Sequence, residues 1–426
     1  MKYSGVEWIG EIPEDWDIKR LKAVLCERNE SNNPIKTDYI LSLTNDRGVI
    51  PYDEKGDVGN KSKEDLSGYK LAYLNDIVLN SMNVIIGSVA LSKYYGCVSP
   101  VYYMLYPRNP MDDVRYYNYI FQTKEFQSKL KGYGNGIMEI RMRIQMSKLN
   151  TVELPIPDAT TQTRIADFLD DKCGKIDRYI EKQQQIIDKL KEYKQAVITE
   201  AVTKGLDPDA PMKDSGIEWI GMIPEHWENR KVISILAMRV VDGSHESPEL
   251  FDEGIPYISA TAIVNGKIDF SQKRGFISPE YCDICDQRYV PQLDDILMIK
   301  LGASTGQVAM VETTDRFNIW VPLAAIRCNE SACPKFVYYA FQSDYFIKQM
   351  QLSWTYGTQQ TLGVKTIERL RILMPLVEEQ KQIADYLTER RKLIDTSIEK
   401  HQQIVDKLTE YKKSLIYEAV TGKLEV

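Results

Sequence analysis

Lys131, Arg141, Arg143 and Lys148 surround a glycine-rich tract, Gly132-Tyr133-Gly134-Asn135-Gly136. Cations beside backbone that can approach a polyanion closely suit contacts to a phosphate chain. The same composition also suits a solvated surface turn. Earlier in the chain, Thr44, Asn45 and Arg47 follow a strand-like YILSL, and Asn80, Ser81 and Asn83 fall in a turn between apolar runs. In the second half, Ser244 and His245 close the tract Asp242-Gly243-Ser244-His245. Ser259 and Thr261 follow a short apolar run, Lys300 precedes a turn holding Ser304 and Thr305, and Thr358, Gln359, Gln360 and Thr361 form the tract YGTQQT. Hydroxyl, amide, imidazole and cationic groups on loops are what base edges and phosphates are read with, and glutamine can pair with adenine through two bonds. Each of these positions also fits an ordinary polar loop, and His245 fits a loop cap.

Other chemistries find little support. The chain has no N-P-P-Y or D-P-P-Y motif for amino-methylation and no GxxxxGK[ST] loop for ATP. Gly302-Ala303-Ser304-Thr305-Gly306 follows a strand-like run, but Gln307 stands where such a loop would continue. Three histidines, His226, His245 and His401, are too few for an easy hydrolytic triad or histidine metal site. Cys282, Cys285, Cys328 and Cys333 could form a four-cysteine zinc site, but the spacing is not standard, and the simplest account of all seven cysteines is reduced thiols in a cytosolic protein. No apolar run approaches the roughly 18 residues that span a bilayer, and MKYSGVEWIG lacks a signal core, so a cytoplasmic protein without a membrane partner is expected.

The elements that must position the candidates come in two copies. SGVEWIGEIPEDW at 4–16 returns as SGIEWIGMIPEHW at 215–227. IADFLDDK from Ile165 returns as IADYLTER from Ile383, and IEKQQQIIDKLKEYK from Ile180 returns as IEKHQQIVDKLTEYK from Ile398. Each copy is a globular part followed by a helical part. The helical parts, predicted at 162–203 and 380–421, carry seven-residue seams. In the first, Leu169, Ile176, Gln183, Leu190 and Val197 interleave with Cys173, Ile180, Ile187, Lys194 and Ala201. In the second, Leu387, Ile394, His401, Leu408 and Leu415 interleave with Arg391, Ile398, Val405, Lys412 and Ala419. A helix of about 40 residues is roughly 60 Å long and cannot bury its stripe in one small domain, so the other copy is the expected partner, antiparallel to it.

The globular parts read as mixed α/β. Strands and turns are expected in IVLNSMNVIIGSVAL and ILMIKLGASTGQVAMV, and helices at Val114–Lys131 and Pro334–Gln351. The paired tryptophans Trp8/Trp16 and Trp219/Trp227 suit core packing, pinning to the helix ends or a docking surface. The expected division is 1–155 and 211–375 for two globular domains, 156–210 for the central helix with its connector, and 376–426 for the C-terminal helix. Their net charges are 0, −4, −2 and −1, so no segment is a basic domain. Bulk electrostatics alone would not grip nucleic acid.

The paired SGxEWIGxIPExW openings, the pattern DGSH…Y-I-S…DIL…GASTGQVA over 242–309 and the tandem IADxL…IEKxQQIxDKLxEYK…EAVT helices resemble the specificity subunit of type I restriction-modification enzymes. The resemblance covers essentially the whole chain. It implies an α/β (α+β) fold with two pseudo-symmetric target-recognition domains separated by a long antiparallel two-helix coiled coil. Each domain would read one half of a split site in double-stranded DNA, with the helices setting the gap. It implies a non-catalytic chain that docks two methyltransferase subunits and the restriction-motor subunits. S-adenosylmethionine, ATP and Mg are then expected in those partners and no cofactor in this chain. A coiled-coil scaffold that never reads bases is the alternative, favoured by the lack of a basic domain and opposed by unlike loops on like frames.

Overall fold

An apolar seam repeated every seven residues without proline dictates long helices, and two form: Ala159–Lys204 and Val377–Val420. The computed structural model describes residues 1–56, 62, 64–133, 143–356 and 360–426. All twenty seam positions named above are buried or half-buried. The chain divides into two units, one made of 1–184 with 402–426 and the other of 185–401. The units therefore cut across both helices rather than following their ends.

In unit 1, Leu169, Cys173 and Ile176 from early in the first helix share a core with Leu415, Ile416 and Ala419 from late in the second. In unit 2, Ile198, Ala201 and Val202 share a core with Ile383, Ala384 and Leu387. This is the order of an antiparallel pair. The polar breaks in the seam are paired in the same way in each unit. Lys412 Nζ donates to Asp177 at 2.6 Å, and Lys194 Nζ donates to Asp395 at 2.8 Å. Both bridges join positions whose numbers add to the same total, so both obey one register. Polar pairs on a seam contribute little net stability, but they penalise slipped alignments.

Each unit is built on the same frame. In unit 1 a four-stranded antiparallel sheet runs in the order Leu25–Arg28, Tyr102–Pro107, Ile77–Asn80, Val89–Leu91. In unit 2 the order is Val241–Asp242, Leu323–Ile326, Ile296–Ile299, Val308–Met310. The registers match: Leu79 faces Val89 where Met298 faces Val308. A two-stranded ribbon closes each frame, Asp17–Arg20 with Glu153–Ile156 and Glu228–Lys231 with Arg371–Met374. Buried Asp76 and Asp295 hold Arg28 and Arg327 through paired hydrogen bonds at corresponding places.

The single helices expected at Val114–Lys131 and Pro334–Gln351 are each broken. Val114–Gln122 is followed by Lys124–Lys131, and Pro334–Gln342 by Asp344–Leu352. Thr123 and Ser343 take extended backbone at the breaks, and their hydroxyls donate back to Ile120 O at 2.8 Å and Ala340 O at 2.5 Å. A side chain that bonds its own preceding turn competes with the helical ladder.

The frame is pinned to the long helices by matched groups. Buried Gln162 accepts from Asp113 N at 3.1 Å, at the cap of one short helix; buried Gln380 accepts from Cys333 N at 2.7 Å, at the cap of the other. Each long helix ends on a glycine with left-handed backbone, Gly205 at φ +75° and Gly422 at φ +71°. Gly205 lies against Pro224 and Trp227, and Gly422 against Pro13 and Trp16. The IPExW motif is thus the seat of a helix end: in unit 1 it receives the end of the second long helix, and in unit 2 the end of the first. Trp16 and Trp227 are buried, as is Trp8, whereas Trp219 is 41% exposed.

A side chain at Gly422 would both strain the backbone and run into Pro13. Left-handed backbone alone costs about 1–2 kcal/mol for an L residue. Gly422→Ala is expected to lose about 2 kcal/mol or more, several degrees of melting temperature by calorimetry. A melting temperature equal to that of the parent would show that the helix end is not seated on Pro13 and Trp16.

What differs between the units is inserted between frame strands. Unit 1 adds the hairpin Leu41–Thr44 with Gly48–Pro51 and the pair Lys70–Ala72 with Gly96–Val98. Unit 2 adds the strands Gly275–Ile277, Ile255–Ile258 and Asn318–Ile319, with a parallel pairing between the last two where unit 1 has the single parallel bridge of Ile40 with Cys97. It also adds the helix Pro279–Asp286, started by Ser278 accepting from Tyr281 N and by Pro279.

Candidate nucleic-acid interface

The turn after the central strand of each frame is where the candidates gather. In unit 1 this turn holds Asn80, Ser81 and Asn83 and ends at Gly87, φ +85°. In unit 2 it holds Lys300, Ser304 and Thr305 and ends at Gly306, φ +97°. The same backbone bond crosses from each turn to a distant segment. Ile144 N donates to Ser81 O at 2.9 Å, and Leu362 N donates to Lys300 O at 2.8 Å. Arg143 is thereby set beside the 80–83 turn, with Lys148 on the helical turn that follows. Gln360 and Thr361 are set beside the 300–305 turn, where Gly302 N donates to Gln360 O at 3.1 Å. Two clusters predicted separately in each half of the sequence are therefore one surface.

Exposure sorts the candidates. Asn45, Arg47, Lys131, Arg143, Lys148, His245, Thr261 and Ser304 are exposed. Thr44, Asn80, Asn83, Ser244, Gln360 and Thr361 are half-buried. Asn45 and Arg47 form the tip of the unit 1 hairpin, with Thr44 Oγ1 accepting from Arg47 N at 3.2 Å. Lys131 ends the helix Lys124–Lys131. Thr261, on a short helical turn after Ile255–Ile258, donates to Gln272 O at 3.2 Å. Arg141, Thr358 and Gln359 lie outside the described residues, as do Gly134, Asn135 and Gly136 of the glycine-rich tract.

Four candidates expected on the reading surface are buried instead: Ser81, Ser259, Lys300 and Thr305. The reason is local satisfaction. Ser81 Oγ donates to Val101 O at 2.7 Å and Thr305 Oγ1 to Gly302 O at 2.7 Å, each holding its turn. Ser259 starts the helical turn 260–262 through its backbone alone, its carbonyl accepting from Ala262 N at 3.0 Å. Lys300 Nζ lies 2.8 Å from Asp242 Oδ2.

Asp242 is the hub that sequence reasoning missed as a site residue. Its carboxylate, 9% exposed, meets Lys300, Arg288 and His245, whose Nε2 stands 3.0 Å away. Arg288 also donates from Nε to Asp242 O at 2.9 Å. Burial works to raise the Asp242 carboxyl, yet Lys300, His245 and Arg288 together hold it below the usual carboxylate range. Beside the hub is a cavity of about 390 Å³ lined by Ser244, His245, Arg288, Tyr289 and Asn318 among others. Ser244 Oγ bonds the Tyr281 hydroxyl at 2.9 Å, tying this loop to the inserted helix. Arg288 carried no signal in the sequence, because it stands 46 residues from Asp242 in a stretch without repeat or motif.

Of the four cysteines weighed as a zinc site, Cys282 lies with Tyr257 and Ile277, Cys328 and Cys333 lie against the main core of unit 2, and Cys285 is buried on the helix Pro279–Asp286. Among the described residues no group of three or more histidine, cysteine or acidic side chains is placed to hold a metal ion. No helix among them is long and apolar enough to cross a membrane.

Two like frames with unlike insertions agree with what the sequence is similar to. The family profile for the type I restriction modification DNA specificity domain matches twice, over residues 13–192 and 224–413. The chain belongs to this family. Family members are the specificity subunits of type I restriction-modification systems, the components that do no catalysis, and this chain carries the domain in two copies. It is 26% identical over 396 residues to a Methanocaldococcus jannaschii protein assigned as the MjaX specificity subunit, covering 89% of this chain and 87% of that one. It is 24% identical to the type I restriction enzyme MjaVIII specificity subunit of the same organism, covering 88% and 86%. The EcoBI specificity subunit of Escherichia coli is 26% identical over 62% of this chain and 57% of its own length. A solved chain from a study of assembly and conformational transition of the type I system superposes with a TM-score of 0.72, over 97% of this chain and all of that one, at 13% identity. That likeness shows a common fold.

Proposed function

We propose that each unit reads one half of a bipartite site in double-stranded DNA, and that the two long helices set the number of base pairs between the halves. The observation that carries this reading is one frame built twice with different insertions at the same places. A common frame delivers a common approach to the duplex, and different insertions present different donors and acceptors to it. Exposed Asn45, Arg47, Arg143 and Lys148 serve the first half. Ser244, His245, Thr261, Ser304, Gln360 and Thr361 serve the second. Arg141, Thr358 and Gln359 belong with these sets by sequence. Lys131 supplies a phosphate contact.

The net charge of −7 fits a subunit that holds DNA firmly only in an assembly. Two methyltransferase subunits carrying S-adenosylmethionine would supply the methyl transfer. Restriction-motor subunits using ATP and Mg would complete the restriction enzyme. This chain then supplies address and spacing.

Mapping methylated bases in cells with and without the gene tests the reading. A split motif is expected to be methylated with the chain present and to vanish without it. A scaffold that never reads bases would leave the motif unchanged when the exposed candidates are substituted.

A further inference from the structure

Among the described residues the buried charged side chains are Asp76, Asp242, Asp295, Lys300 and Glu368, and two of them belong to the shared frame. Asp76 with Arg28 and Asp295 with Arg327 occur at corresponding places in both units. Asp242 with Lys300 does not. The unit 1 position corresponding to Lys300 is Ser81, which bonds a backbone carbonyl. Unit 2 has therefore placed a buried ion pair at the turn where the candidates gather.

The pair has three attachments. Lys300 N donates to Pro322 O at 2.8 Å, and Lys300 O accepts from Leu362 N at 2.8 Å, so the lysine is locked between the frame and the 360–362 segment. Asp242 heads the loop carrying Ser244 and His245. Arg288 reaches Asp242 from beyond the inserted helix, through both the carboxylate and the backbone carbonyl. The side chains of Lys300 and Asp242 are 10% and 9% exposed, whereas those of Arg288 and His245 are 51% and 61% exposed. The buried members hold, and the exposed members face outward.

We propose that Asp242 is the positioning residue of the second recognition unit: it fixes Arg288 and His245 as a pair of phosphate contacts against the half-site that unit reads. This inference rests on the DNA-reading function proposed above. Arg288 becomes a DNA contact that no motif suggests.

The sign of one substitution separates positioning from simple electrostatics. Asp242→Asn removes a negative charge near a polyanion, so Coulomb attraction alone predicts tighter binding. Loss of positioning predicts weaker binding. The measurement is affinity of the full chain, assembled with its methyltransferase partners, for a duplex carrying the mapped site, across a series of salt concentrations. Asp242→Asn is expected to weaken binding on the order of 10-fold and to make the salt slope shallower by about 1 to 2, as each lost phosphate contact lowers it by about one. Arg288→Ala is expected to weaken binding whatever bases stand in the site and to lower the slope by about 1.

Asp242→Asn also strands Lys300, which could simply destabilise the unit. The double variant Asp242→Asn with Lys300→Met removes both buried charges. It is expected to recover the melting temperature but not the affinity. Tighter or unchanged binding by Asp242→Asn, parental affinity in the double variant, or an unchanged slope in Arg288→Ala would each overturn the proposal. A parental assembly that shows no sequence preference would instead sink the DNA-reading function itself, leaving the two failures distinguishable.

Discussion

Exchange of residues 211–375 for the corresponding segment of a relative is expected to rewrite one half of the methylated sequence and leave the other half intact. The frame makes this exchange feasible. Unit 2 meets the long helices through Ile198, Ala201, Val202, Ile383 and Leu387, all outside the exchanged segment. A donor segment that keeps apolar side chains opposite those five should seat without a cavity. Each mismatched base pair costs about 1–3 kcal/mol, so a half-site of about three read pairs gives discrimination on the order of 10²-fold or more. Methylation of the original second half should fall by at least that factor, and a new half should appear at the same gap. The readout is base-resolved mapping of methylation in cells carrying the hybrid. A hybrid that folds, assembles and retains the parental motif would show that bases are read elsewhere.

The second large effect concerns the gap. Removing four residues from the first long helix, between Asp177 and Lys194, and the four facing them from the second, between Asp395 and Lys412, shortens the pair by about 6 Å and turns it by about 40° beyond a full turn. A base-pair step turns the duplex by roughly 34–36°, given 10–10.5 pairs per turn. The preferred gap is expected to shorten by about one to two base pairs, with binding to the parental site falling on the order of 100-fold or more. Asp177 with Lys412 and Lys194 with Asp395 flank the matched deletions, so both bridges keep their common register. Binding to duplexes with graded gaps measures it. A preference that stays at the parental gap would mean that the helices do not set the spacing.

Both effects were foreseeable to different degrees from the residues. The repeated openings and the repeated seams announced two copies of one frame, because a frame of frequent local contacts leaves a local pattern. The seam residues alternate with a period of 3.5, and a period is visible without knowing what lies opposite. The broken helices at Thr123 and Ser343 were less visible, since a hydroxyl that bonds its preceding carbonyl looks the same in sequence as one that faces water.

The candidate site showed in the sequence as separate polar tracts, and its assembly did not show. Polar tracts around 80–83, 143–148, 244–245, 300–305 and 360–361 stood out as loops able to meet nucleic acid. Their convergence depends on the bonds from Ile144 to Ser81 and from Leu362 to Lys300, which join segments far apart in the chain. Lys300 illustrates the limit. From its neighbours it reads as a cation beside a turn, a plausible phosphate contact. The fold buries it against Asp242, and Arg288 takes the exposed place instead.

By itself the sequence determined that this protein is a doubled unit with long helical arms and unlike loops, because repeats and periodicities are properties of neighbours along the chain. Only the tertiary structure decided which polar side chains face outward and which hold the frame. Burial and charge pairing depend on groups brought together from distant positions, and no spacing along the chain records those meetings.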